Sequence, residues 1–205
     1  MGFRDGPQVD ISVARPPLWG LGWPERAPFA WAAAFALAFV VAYEVSSWLD
    51  PWVSVVDSRV SLVFLPAFFR VAAVLVAGLA GALGLFLGAL FIGLAHGDSL
   101  AVVLPQATLS ALAPCLAVYL LRMALRRAML SFDLVTLLLI GALTSIFSAL
   151  LHGVFWASFQ SDILVWGADT ITLMIIGDLI GVLLGFFLLS LAVRFIKAIR
   201  LRDHV

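Results

Sequence analysis

The chain reads as an all-α, polytopic membrane protein: a six-helix transmembrane bundle whose second span is broken by a proline. Three observations predict this. Hydrophobic residues make up 64% of the 205 residues and charged ones only 12%, where soluble domains are nearer half and a quarter. The mean hydropathy is +1.15. The apolar residues fall into runs near the ~20 residues that a helix needs to cross the bilayer core.

Residues 1–28 form a cytoplasmic leader. They carry Arg4, Asp5, Asp10, Arg15, Glu25 and Arg26 among five prolines, unlike a cleavable signal, which needs a short basic start and an apolar core. Trp19 and Trp23 suit the headgroup level. The transmembrane domain follows at 29–197, and 198–205 is a basic cytoplasmic tail. The first span, about 29–49, stops at the Asp50-Pro51-Trp52 turn. The second, about 60–77, contains Pro66, which lacks an amide donor and crowds the preceding turn, so that the helix starts or kinks there. The third, about 79–95, is joined to it through Gly78 and Gly81. The remaining spans are about 100–121, 134–157 and 170–196. Gly84 and Gly88, and Gly177, Gly181 and Gly185, recur at the spacing by which helix backbones approach closely in lipid.

Basic residues orient these spans. With six spans and both termini inside, Arg4, Arg15, Arg26, Arg122, Arg126, Arg127, Arg194, Lys197, Arg200 and Arg202 lie inside, Arg59 outside and Arg70 within the membrane, as the positive-inside rule expects. Trp48, Trp52, Trp156 and Trp166 then fall near the outer interface and Trp31 near the inner one.

Six polar residues interrupt the spans: Glu44, Arg70, Gln106, Thr108, His152 and Asp178. Position converts to depth through the helical rise of about 1.5 Å per residue. All six fall in the outer half of the bilayer or at its middle, where a charge needs a partner. That asymmetry predicts a pocket open to the outside, with Arg70 at its floor and Asp178 as its counter-ion. Glu44 either joins them or reaches the interface, and Arg70 with Asp178 serves either a ligand or helix locking alone. No metal-ligand cluster, phosphate loop or nucleophile elbow occurs. Ser145 and Ser148 beside His152 are read as interhelical glue, so neither an enzyme nor a cofactor is expected. Zero net charge argues against nucleic acid. The lone Cys115 leaves no intramolecular disulfide.

Phe64-Leu65-Pro66 followed by an apolar run to Gly78, Gln106-Ala107-Thr108-Leu109 through Leu121-Arg122, and Ile176-Gly177-Asp178-Leu179-Ile180-Gly181 together resemble the first class of membrane-associated sensor domains. The likeness spans about 30–191, with Asp178 and Pro66 at motif positions. Arg70 stands where many members carry glycine, so no role for it is implied. The resemblance implies a bacterial inner-membrane sensor module that binds a small ligand and acts through a signalling output protein. The family continues into further spans and an output domain, whereas this sequence stops at Val205. A different expectation is a substrate-binding subunit similar in size and plan to those of energy-coupling-factor transporters, with Ala32, Ala33, Ala34, Ala36 and Ala38 docking a coupling subunit. A third is an assembly factor of a membrane complex.

Overall fold

A computed structural model describes residues 27–56, 60–126, 130, 134–159 and 168–202. Five helices among them are long and apolar enough to cross a membrane, not six. They are α1 (Pro28–Val53), α2 (Pro66–Ala95), α3 (Leu100–Leu125), α4 (Leu134–Phe159) and α5 (Ala168–Arg202). A short antiparallel pair, β1 (Ser54–Val56) and β2 (Val60–Ser61), joins α1 to α2, with Ser54 opposite Ser61 and Val56 opposite Val60. Residues 1–26 of the expected leader, with Trp19 and Trp23, and Arg59, Arg127, Trp166 and the last three residues lie outside the described residues, while Pro28 already belongs to α1.

The expected second and third spans are one element. Residues 60–65 lie outside any helix, 60–61 as strand and 62–65 as the turn into α2, which leaves 66–77 before the break. A helix of that length reaches roughly 18 Å, against a hydrocarbon core about 30 Å thick. The break is at Gly78, and Pro66 does not break a span. Pro66 is the first helical residue, where its missing amide costs nothing and its φ is already set. Gly78 has φ 55° and ψ −126°, a conformation that strongly disfavours any residue with a Cβ. α1 also departs from expectation, since it runs through Pro51 to Val53.

Contacts on either side of Gly78 show that the chain turns back there. Leu65 donates its amide to Ser46 Oγ (3.0 Å), and the Arg70 guanidinium sits over the Phe39 ring, so 66–77 runs antiparallel to α1. Gly84 packs on Ala32 and Phe35, Gly88 on Ala36 and Phe39, and the His96 ring meets Tyr43, so 79–95 runs parallel to α1. A Cβ on Gly81 would collide with the carbonyl of Ala73, eight positions earlier. In a straight helix those two residues would stand about 12 Å apart along the axis.

The remaining directions follow. Gly93 meets Val103, Gly141 meets Val182, and Gly153 meets Ile171, so α3 runs opposite to the second arm of α2, and α4 opposite to α5. Gly177, Gly181 and Gly185 lie against Ser61, Phe64 and Phe68 in turn, so α5 runs alongside the first arm of α2. The start of α1, the end of α3 and the end of α5 therefore share one end of the bundle. A core of Phe39, Val71, Val74, Leu85, Val118, Ile140 and Val182 fills the middle.

Candidate ligand site

The lead-in to α2 positions Arg70. Ser61 Oγ closes a local turn on Val63, the Phe64 amide donates to the Gly177 carbonyl (3.2 Å), and the next amide reaches Ser46. Residues 61–65 are thereby held between α1 and α5. The close approach at Gly177 and Gly181 is possible because neither carries a side chain: a Cβ at either would strike the Ser61 or Phe64 carbonyl. Four residues after Pro66, Arg70 is turned into the bundle and is only 6% exposed.

Its guanidinium meets Asp178, also 6% exposed, through Nη1 and Oδ2 at 3.5 Å. The same Nη1 donates to Ser148 Oγ at 2.7 Å. Phe39 and Phe64 rings lie 5.8 and 5.1 Å from its central carbon, close enough for cation–π attraction. Among the described residues Nε and Nη2 make no hydrogen bond, and Nε is fully buried. A buried donor left unmade costs about 1–3 kcal/mol, so this edge of Arg70 is the unsatisfied feature of the site.

Two cavities of about 310 and 290 Å³ meet at Arg70 and share Tyr43, Phe64, Gln106 and His152 as walls. The first extends past Phe39, Ile92 and Ser110 to His96 and Asp98, both exposed at its rim. The second continues past Ser61 and Ser148 to Trp156, Met174 and Asp178. His152 Nδ1 donates to the Ser148 carbonyl (2.8 Å), which leaves Nε2 as the ring nitrogen available to the cavities.

Of the six polar residues singled out in the sequence, Arg70, Gln106, His152 and Asp178 converge here and two do not. Glu44 is exposed on the outside of α1, while its neighbour Tyr43 lines both cavities. Thr108 is exposed on α3 and returns its hydroxyl to the Leu104 carbonyl (2.8 Å). Trp156 lines the second cavity, and Trp48 and Trp52 are exposed near the end of α1. Sequence reasoning missed Tyr43, His96, Asp98 and the direct role of Ser148. Ser148 stands one helical turn before His152, a spacing that already places both on one face. Among the described residues no group of three His, Cys, Asp or Glu side chains could hold a metal.

The alanine row of α1 divides. Ala32 is 3% exposed, and Ala32 and Ala36 lie under Gly84 and Gly88, while Ala33 and Ala34 face outward. Cys115 is half-buried in α3.

Compared with family models, curated proteins and solved structures, the chain matches none. The resemblance to membrane-associated sensor domains thus has no family-level match beside it, and the chain is a polytopic, all-helical membrane protein with several apolar spans.

Proposed function

We propose that this chain is a small-ligand-binding module of the bacterial inner membrane, sensor-like, with its site open to the periplasmic face and its output passed through a partner protein. One observation carries the binding reading: a buried arginine with an unsatisfied edge stands at the junction of two cavities that polar side chains from α1, α3, α4 and α5 line. Most buried polar groups are hydrogen-bonded, so an unmet donor that also borders two cavities calls for a partner. Orientation rests on charge. Arg122, Arg126, Arg194 and Lys197 belong to the bundle end opposite the cavity mouth, and the positive-inside rule assigns that end to the cytoplasm. A ligand would act by binding one arrangement of the helices better than another.

For the uptake-subunit reading, Ala32 and Ala36 are taken up by packing inside the bundle, which leaves the outward-facing Ala33 and Ala34 as the surface for a coupling subunit. The test is directional labelling. In a Cys115→Ala background, Gln106→Cys should react with a charged, membrane-impermeant thiol reagent added to spheroplasts. Labelling only in inside-out vesicles would reverse the orientation, and labelling in neither would remove the open pocket. Copurification with a kinase or cyclase would support signalling output, and with an ATPase and coupling subunit, uptake.

A further inference from the structure

We infer that the site takes an amphoteric small molecule of the α-amino-acid type, its carboxylate on Nη2 of Arg70 and its ammonium toward Asp178. This rests on the binding reading above and narrows its ligand. Arg70 and Asp178 are both more than nine-tenths buried, and together they are neutral. In a poorly polarisable interior an uncompensated charge is expensive. An anion would leave the site one charge negative and a cation one charge positive, whereas a zwitterion leaves it neutral.

The geometry separates the two recognition elements. Both partners of Arg70, Ser148 and Asp178, sit on Nη1, so among the described residues Nη2 is the unpartnered donor that is not fully buried, and a carboxylate is a charge-assisted acceptor for it. Asp178 contacts Arg70 through Oδ2 alone and lines only the second cavity, while Arg70 lines both. Arginine therefore offers a donor on one side and aspartate an acceptor on the other, across a junction walled by Phe64 and Tyr43. Gln106 and His152 Nε2 supply further polar groups at the same junction.

Thermal unfolding of the full chain in detergent tests this, with each of the twenty amino acids as probe. The best one is then compared with its decarboxylated amine, its deaminated acid and its carboxamide. The amino acid should raise the unfolding temperature, and each derivative should bind at least about tenfold more weakly, since each leaves one buried charge unmatched. Arg70→Gln/Asp178→Asn, which removes both charges and strands neither, should fold and lose the response. An acid, amine or amide equal to the parent overturns the amphoteric class and leaves the pocket standing. Absence of any response, with Gln106→Cys still labelled from outside, also overturns the class alone. Absence of both response and labelling overturns the pocket as well.

Discussion

The two arms of α2 are built from similar apolar residues but held by different physics. The arm before Gly78 is short and carries Arg70. It is fixed at its start by hydrogen bonds to α1 and α5, and midway by an ion pair to α5 and a hydroxyl from α4. The arm after Gly78 carries no charge up to Ala95 and is fixed by glycines against α1 and α3. One arm is placed by polar groups and the other by shape. A charge can be held at defined depth in lipid when the segment bearing it is tied at several points by directional contacts.

That contrast can be broken from either side. The largest effect should come from Asp178→Asn, which strands the Arg70 charge at a cost of about 3–5 kcal/mol. Unfolding in detergent should show it, and adding Arg70→Gln to the same chain should recover much of the loss. Ser148→Ala removes the shortest bond to the guanidinium and should cost about 1.5–3 kcal/mol in the same assay, with a weaker ligand response. Gly84→Leu attacks the other arm. Its side chain would press on the Ala32 carbonyl and the Phe35 side chain, and overpacking of this kind costs about 1–3 kcal/mol. Ligand affinity per folded molecule should hardly change, which separates a shape defect from a charge defect. Thr108→Val, on the outer face of α3, should alter stability by less than about 0.5 kcal/mol and leave the ligand response intact. A large effect there would mean that the polar network extends beyond the site.

Much of this was legible in the sequence, and the gaps have physical reasons. Arg70 and Asp178 could be paired because they are opposite charges at similar depth in apolar runs, and Gly78 and Gly81 marked a discontinuity. The count of spans failed at 60–65. Those residues are as apolar as a helix but are not helical, and the Phe64 and Leu65 amides are held by Gly177 and Ser46, which lie far away in sequence. Glu44 and Thr108 failed for another reason. A membrane helix that is apolar all round has no polar face to show which side is inward. Only the structure reveals that α1 turns Ala32, Phe39, Ala42 and Ser46 inward, which puts Glu44 on the far side between the last two. On α3 the inward row of Val103, Ala107 and Ser110 takes in Gln106 and leaves Thr108 out.

The reversal at Gly78 also governs what can pass through the molecule. From Arg70 the first arm continues only about 10 Å, at the helical rise, before the chain turns. Val71, Val74, Leu85, Val118 and Val182 close over that stretch as a dry stopper, each at most 2% exposed. The arrangement is a cup rather than a conduit. Under the proposed reading, a molecule that reached the arginine would leave by the mouth it came in through, and only its presence would be felt on the other side.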